Sequence, residues 1–185
     1  MSLTQYYTAT TLDGFIADPD NSLEWLFTRD QDRAGLLNYA EFIAGVGALA
    51  MGRTTYEWIL DHEFAGKDPS ERKWPYEIPC WVFTHHELTV VPGAPIEFAS
   101  GDVAPVHAAM VAAAGGRNVW IVGGGDLVGQ FADVGLLDEV IVFLAPVTLG
   151  AGAPLLSRRV ELRLEETGRN GDFVAARYAV VRPSS

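Results

Sequence analysis

The chain has 185 residues, of which 49% are apolar, and a formal net charge of −11 at neutral pH. This length and composition are typical of one globular domain, residues 1–185, and exclude an intrinsically disordered chain. The negative charge argues against nucleic acid as a partner, because proteins that bind a phosphate backbone present a basic face.

Cysteine and histidine usage argues against two further classes. Cys80 is the only cysteine, so an intramolecular disulfide and a thiolate zinc site are impossible, and a reducing compartment is expected. The histidines have no partners at ligand spacing, so we expect no metal. The N-terminus lacks the basic start and apolar core of a signal peptide, and no apolar run approaches the roughly 20 residues of a membrane helix. We therefore expect a cytoplasmic protein without a membrane partner.

The first half of the chain alternates strand and helix patterns. A Thr- and Tyr-rich apolar run ends at the turn signal Leu12-Asp13-Gly14. After Asp30, apolar residues recur with the spacing of one helical face; they are Leu36, Tyr39, Ala40 and Ile43. A helix is expected to start at Gly52, and the polar, proline-bearing residues 61–79 are expected to form a loop. The strands predicted in this half are residues 3–11, 46–51 and 80–84.

The second half continues the alternation and closes with a hairpin. We expect strands over residues 96–99, 118–122 and 140–145, and helices over 103–114 and 126–134. Residues 160–167 and 173–181 alternate like an antiparallel pair around Asn170-Gly171. The predicted fold class is therefore α/β, with a mostly parallel twisted sheet, helices on both faces and an antiparallel C-terminal hairpin.

Three consecutive glycines, Gly123 to Gly125, separate the strand at 118–122 from the following helix. The segment fails as a G-x-G-x-x-G dinucleotide fingerprint, since the third glycine would fall on Val128 while Gly129 comes one residue late. A glycine-only turn lets backbone amides approach a phosphate at the positive end of a helix. Tight packing of strand against helix explains the same glycines, so both interpretations stay open at this point.

A second segment, Ala50 to Glu57, repeats the arrangement of strand, glycine and helix start. Here the helix opens with Arg53, Thr54 and Thr55, an arginine fork and two hydroxyls that suit a phosphate. Two such turns in one α/β domain favour a dinucleotide that carries several phosphates.

Three quoted segments, MGRTTYE, VGGGDLVGQF and LDEVIVFLAPVTLGAGAPLL, together with TTLDGFIA near the start, resemble the dihydrofolate reductase superfamily. The likeness is greatest to stand-alone relatives of the C-terminal reductase domain of the bifunctional riboflavin-biosynthesis deaminase-reductase. It implies a three-layer reductase fold and NADPH as the cofactor. It also implies hydride transfer to a small pyrimidine- or pterin-like heterocycle, and a possible homodimer.

The resemblance also implies roles for individual residues. Arg53 is expected at the 2′-phosphate, Thr84 and His85 at the adenosine-phosphate edge, and Ala9 and Ile16 beside the nicotinamide. The Gly123–Gly124 peptide bond is expected to be cis at the pyrophosphate. The full expected cofactor set is Ala9, Ile16, Gly52, Arg53, Thr54, Thr55, Thr84, His85, Gly123, Gly124, Gly125 and Asp126.

The sequence departs from dihydrofolate reductase proper at the substrate carboxylate of the first helix. Leu36 stands near that position, and Asp32 and Glu41 lie off its register. Folate reduction therefore requires a relocated acid such as Asp13 or Glu24. The deaminase half is also missing, because H-x-E followed by P-C-x-x-C does not occur.

Three residues are candidate substrate contacts, each with a structural alternative. Asp13 is either a substrate contact or only part of an Asp-Gly turn, and Trp25 and Tyr39 are either pocket or core residues. The missing carboxylate also motivates an alternative function, a non-catalytic nucleotide-binding or dimerising protein on the same fold.

Overall fold

The computed structural model describes residues 2–182 and forms strands and helices in alternation. Within these residues the strands are β1 (Thr4–Thr11), β2 (Phe15–Ala17), β3 (Val46–Gly52), β4 (Cys80–Phe83), β5 (Ile96–Ala99), β6 (Asn118–Gly123), β7 (Glu139–Ala145), β8 (Ala153–Pro154), β9 (Leu162–Asn170) and β10 (Phe173–Val180). The helices are α1 (Glu24–Phe27), α2 (Tyr39–Ala44), α3 (Arg53–Phe64), α4 (Val103–Ala113) and α5 (Gly125–Asp133), with a 3₁₀ turn at Pro69–Glu71.

Eight strands form one sheet in the order β5-β4-β3-β6-β1-β7-β10-β9. The six strands from β5 to β7 run parallel, and β10 pairs antiparallel with both β7 and β9. Strand β3 is buried at six of its seven residues, as expected of a parallel strand that helices cover on both faces. The predicted mixed α/β sheet with a C-terminal hairpin is thereby confirmed.

Two apolar clusters hold the helices against opposite faces of this sheet. On one face Met110 of α4 and Phe131 of α5 are fully buried. On the other face Tyr56 of α3 is fully buried and Phe42 of α2 packs against the same cluster. The result is a three-layer arrangement in which burial of apolar side chains supplies the dominant stabilisation.

The helix predicted after Asp30 is wrong in its start. Helix α2 begins only at Tyr39, because Leu37 has a left-handed φ of 58°. Asn38 then caps the helix, since its side chain accepts a hydrogen bond from the Glu41 amide at 3.0 Å. The apolar spacing of residues 36–43 fits a longer helix equally well, which is why the pattern misled.

Other differences are local. Helix α3 continues to Phe64, where a loop from residue 61 was predicted, and α1 and the small β2–β8 pair were not predicted. In the hairpin, Asn170 pairs with Phe173, so the two-residue turn is Gly171-Asp172. Asn170 is buried and ties the preceding segment to the hairpin: it accepts from the Asp32 amide and donates to the Leu36 carbonyl oxygen, both at 2.9 Å.

Among residues 2–182, none of the helices has the length and apolarity to cross a membrane. The same residues contain no cluster of three or more His, Cys, Asp and Glu side chains placed to hold a metal ion.

Candidate active site

A cleft of ≈ 850 Å³ lies where the parallel strands end. Parallel pairing brings the last residues of β3, β4 and β6 to one edge of the sheet, with Gly52 opposite Phe83 and Met51 opposite Gly123. Ligands of open α/β sheets bind outside the carboxyl ends of the strands. The volume also falls within the usual range for small-molecule sites.

The two glycine turns singled out in the sequence meet in this cleft. A Cβ atom placed on Gly52 would lie 3.8 Å from the Gly123 oxygen and 3.9 Å from the Gly124 nitrogen. A Cβ on Gly123 would lie 3.4 Å from Thr55 Oγ1. The Gly123–Gly124 peptide bond is cis, as the resemblance implies.

Helices α3 and α5 both start at these turns with their first amides free of side-chain caps. Their N-cap residues are Gly52 and Gly124, and neither has a side chain that could accept from the first turn. The first N–H groups of a helix need acceptors from outside it and lie at the positive end of the helix dipole. Two such ends beside one cleft make a site for anionic groups.

The three consecutive glycines have different structural reasons. At Gly124 a Cβ would meet only Ile16 Cδ1, at 3.9 Å, so this position is open. At Gly125 a Cβ would lie 2.4 Å from the Pro154 oxygen and 2.6 Å from the Leu155 oxygen. Gly125 is therefore required by close contact between two backbones, while Gly124 leaves room in the cleft.

Arg53 lines the cleft at the start of α3. Its Nε donates to both carboxylate oxygens of Glu57 at 3.1 Å, and its side chain is 45% exposed. An exposed pair of this kind contributes little to stability. A phosphate at this position could therefore use the outer amino groups of Arg53 without a large cost.

Thr84 and His85 line the same end of the cleft, after β4. The Thr84 hydroxyl accepts from the His86 amide at 2.9 Å and so shapes the turn. Ser100 and Gly101, which follow β5, also line the cleft and were not predicted. Their place directly after the predicted strand at 96–99 is the signal that could have found them.

The two residues expected beside the nicotinamide, Ala9 and Ile16, lie in different surroundings in the structure. Ile16 lines the cleft, and so does Thr8 on β1. Ala9 instead packs against the buried cluster on the α3 side of the sheet.

Asp126 lines the cleft, but its carboxylate is engaged elsewhere. It accepts from Arg158 Nη1 at 2.7 Å and from Gln130 Nε2 at 2.9 Å. The Arg158 and Gln130 hydrogen bonds hold the pKa of the Asp126 carboxyl below its usual range. A cofactor would therefore meet the backbone amide of Asp126 and not its side chain.

Of the three candidate substrate contacts, only Tyr39 lines the cleft. The Asp13 carboxylate accepts from the Thr11 hydroxyl at 2.6 Å and from the amides of Leu149 and Gly150 at 3.0 and 2.7 Å. The Thr11 hydroxyl, with smaller help from these amides, lowers the pKa of Asp13. Asp13 thus links the turn after β1 to the loop at Leu149 and Gly150. Trp25 belongs to α1, and its side chain is buried in the core.

Seven aromatic residues line the cleft. Four of them are here called the aromatic wall: Tyr7, Tyr39, Tyr76 and Trp120. The other three are Phe83 and the stacked pair of Phe27 and Trp58. Tyr39 lies 6.1 Å from both Tyr7 and Trp120 between ring centroids, and Tyr76 lies 5.8 Å from Trp120. Sequence reasoning identified only Tyr39, because the others are distant along the chain.

The acids named for a relocated carboxylate do not line the cleft. Glu24 is exposed on α1, Asp13 is engaged as described, and Leu36 lies in the loop before α2. Among residues 2–182, the one carboxylate side chain that lines the cleft belongs to Asp126. The geometry therefore gives no support to folate reduction with an acid from Asp13 or Glu24.

The family model of the RibD C-terminal domain matches residues 76–171. The chain belongs to this family. The match includes β4 to β9 and the glycine turn at Gly123. The chain is 32% identical to uncharacterized protein YwjB of Bacillus subtilis, and the match covers 95% of this chain and 96% of that protein. It is 23% identical to uncharacterized protein YyaP of the same organism, over 86% of the chain and 84% of the relative.

Solved structures show the same RibD-like dihydrofolate reductase fold. A candidate riboflavin biosynthesis protein of Shewanella sp. PV-4 superposes with a TM-score of 0.79 at 24% identity, covering 97% of this chain and 99% of that one. A pyrimidine reductase-like protein of Corynebacterium diphtheriae gives 0.64 at 15% identity, with 98% and 92% covered.

One solved structure is longer than this chain. It is the diaminohydroxyphosphoribosylaminopyrimidine deaminase/5-amino-6-(5-phosphoribosylamino)uracil reductase of Thermotoga maritima. It gives a TM-score of 0.61 at 17% identity, and the match covers 97% of this chain but 57% of that one. These likenesses confirm the predicted fold class.

Proposed function

We propose that this protein is an NADPH-dependent reductase that transfers a hydride to a small pyrimidine- or pterin-like heterocycle. The observation that carries the proposal is the meeting of two uncapped helix N-termini, at Gly52 and Gly124, in one cleft with Arg53 beside them. The RibD C-terminal domain family and its reductase-named neighbours support the same conclusion.

The residues present fit the phosphates of such a cofactor. The amides that begin α5, from Gly124 to Asp126, would hold the pyrophosphate, because a Cβ at Gly124 would meet only Ile16 Cδ1, at 3.9 Å, and the position leaves room in the cleft. Arg53, with the hydroxyls of Thr54 and Thr55, would hold the 2′-phosphate. Thr84 and His85 would border the adenosine, and Ile16 the nicotinamide. When bound, NADPH supplies the hydride.

The chain's own contribution is orientation and exclusion of water from the aromatic wall. Burial raises the pKa of Tyr7, Tyr39 and Tyr76 above the ordinary value for tyrosine. These phenols are therefore protonated at neutral pH and cannot serve as bases. Since Tyr7 already donates to the Leu37 carbonyl oxygen, Tyr39 is the phenol that would donate to a substrate.

Titration with NADPH and NADH, followed by calorimetry or fluorescence, tests the cofactor assignment. Arg53→Ala should weaken NADPH binding by about 1.5–3 kcal/mol, the usual worth of a charge-assisted hydrogen bond, and should leave NADH binding nearly unchanged. Arg159→Ala is the matched control, because Arg159 is an exposed arginine paired with Glu161 and does not line the cleft. Absence of NADPH binding, or equal affinity for both cofactors, would overturn the proposal.

A second candidate is a nucleotide-binding protein without turnover, acting as a monomer or as a homodimer. It is favoured by one observation: the only cleft-lining acid within residues 2–182, Asp126, is held in an ion pair with Arg158. Steady NADPH oxidation with a panel of pterins and aminopyrimidines, abolished by Arg53→Ala, would exclude this candidate. Sedimentation velocity would measure whether the protein, residues 1–185, is a monomer or pairs with a second copy.

A further inference from the structure

The positive charges of the cleft are confined to one side of it. Among the cleft-lining residues of the described chain, the basic side chains are Arg53 and His85. They follow β3 and β4, which are neighbours in the sheet. Arg53 is already assigned to the 2′-phosphate of the cofactor and His85 to the adenosine, so neither is free for a second anion.

The aromatic wall covers the other side, above β1 and β6. Tyr7 belongs to β1 and Trp120 to β6, and their rings are 6.4 Å apart and nearly perpendicular. Tyr39 packs against both of them. Tyr7 and Trp120 are buried and form the floor of this side, while Tyr39 is the most exposed ring of the wall. A flat ring can stack on such an exposed aromatic face through dispersion and quadrupole contacts.

Backbone amides on this side give no alternative anion site. Helix α2 has six residues, and its first turn is capped by the Asn38 side chain. Helix α1 has only four residues. Arg29 follows Phe27 by two positions but does not line the cleft.

Hydrogen bonding on this side comes from hydroxyl groups. The Tyr7 hydroxyl donates to the Leu37 carbonyl oxygen at 3.1 Å. Tyr39 is 41% exposed and lines the cleft, so it is the wall residue most open to a ligand.

We propose that the aromatic wall binds an uncharged, planar ring that carries no phosphate, with Tyr39 donating a hydrogen bond to it. This inference rests on the proposed function, because it names the substrate class of the same cleft. A phosphate on this side would find no positive partner and would meet the field of a protein with a net charge of −11. The substrate thus differs from the phosphoribosylaminouracil for which the Thermotoga maritima protein is named.

Two matched ligand pairs test the proposal on the protein saturated with NADP⁺. One pair is pterin and pterin-6-carboxylate; the other is 5-amino-6-(ribitylamino)uracil and its 5′-phosphate. Equilibrium binding is measured by fluorescence, so no turnover is required. We expect the uncharged member of each pair to bind at least about ten-fold more tightly than its anion, a difference of about 1.4 kcal/mol.

Variants at Tyr39 sharpen the test, and their Tm is compared with that of the wild type because Tyr39 also packs against Tyr7 and Trp120. Tyr39→Phe keeps the ring and should weaken both uncharged ligands several-fold. Tyr39→Arg adds a cation and should reverse the preference within each pair. Equal or tighter binding of either anion to the wild-type protein would overturn the proposal, and so would failure of both uncharged rings to bind. Since NADP⁺ binding is measured first, its failure would count against the proposed function and not against the ring class alone.

Discussion

Alanine at two adjacent glycines, Gly124 and Gly125, separates the two roles of the glycine triplet. Gly124 has φ −85° and ψ −177°, a conformation that any residue can adopt, and its new methyl group would meet only Ile16, at 3.9 Å. Gly124→Ala should therefore fold normally but should occupy the space reserved for the pyrophosphate. Gly125→Ala instead forces a methyl group against the carbonyl oxygens of Pro154 and Leu155, at 2.4 and 2.6 Å.

The structure sets the expected magnitudes. Ordinary contacts to a Cβ atom are 3.4 Å or longer, so at Gly125 two segments of backbone must separate by about an ångström. Overpacking of this kind costs about 1–3 kcal/mol and occasionally more. We expect about 3 kcal/mol for Gly125→Ala, which lowers Tm by about 6–12 °C at this chain length. For Gly124→Ala we expect a change within about 1 kcal/mol, because alanine at a compatible glycine site restricts the unfolded chain.

Two assays on the same preparations decide the matter. Differential scanning fluorimetry measures Tm, and fluorescence titration measures the Kd for NADPH. Gly124→Ala should keep the wild-type Tm and lose at least ten-fold in NADPH affinity. Normal NADPH affinity in Gly124→Ala, or an unchanged Tm in Gly125→Ala, would refute the division of roles drawn from the geometry.

Three further predictions concern residues around the cleft. Glu57→Gln releases Arg53 from an exposed pair worth about 0.3–0.5 kcal/mol, so titration should show NADPH binding about two-fold tighter and NADH binding unchanged. Asp13 has a lowered pKa in the folded protein, so its ionised form stabilises the fold above the unfolded value of about 3.9 and loses that effect as pH falls through the folded pKa. The Tm difference between wild type and Asp13→Asn should therefore be constant from pH 5 to 8 and shrink below about pH 4; a constant difference throughout would contradict this. Asn170→Ala removes two part-buried hydrogen bonds to the segment 32–36 and should cost about 1–3 kcal/mol of unfolding free energy in chemical denaturation; a smaller loss would show that the segment is held by other contacts.

Much of the fold could be predicted from local sequence patterns. The run 46–51 is apolar apart from Gly47, the run 119–122 is apolar throughout, and each is followed by a glycine; buried parallel strands have this pattern. The start of α2 could not be found in this way, because it depends on the left-handed Leu37 and the cap at Asn38. The β2–β8 pair is too short to carry a pattern, and it joins segments more than a hundred residues apart.

The candidate site likewise has residues that local sequence patterns predict and residues that only tertiary contacts bring there. Gly52, Arg53 and Gly124 stand at the ends of recognisable strands, so their position at the cleft could be predicted from the order of elements. The packing reason for Gly125 depends on Pro154, and Tyr76 joins Trp120 only through tertiary contact. Local pattern contains no signal for such pairs, since each side chain alone is consistent with an ordinary core position.

A crystal structure of the protein with NADP⁺ tests the central claim most directly. The account predicts the pyrophosphate within hydrogen-bond distance of the amides from Gly124 to Asp126, and the 2′-phosphate on Arg53. It also predicts that the nicotinamide lies beside Ile16, with one face open to the aromatic wall. A cofactor bound elsewhere, or with its 2′-phosphate directed away from Arg53, would contradict the account.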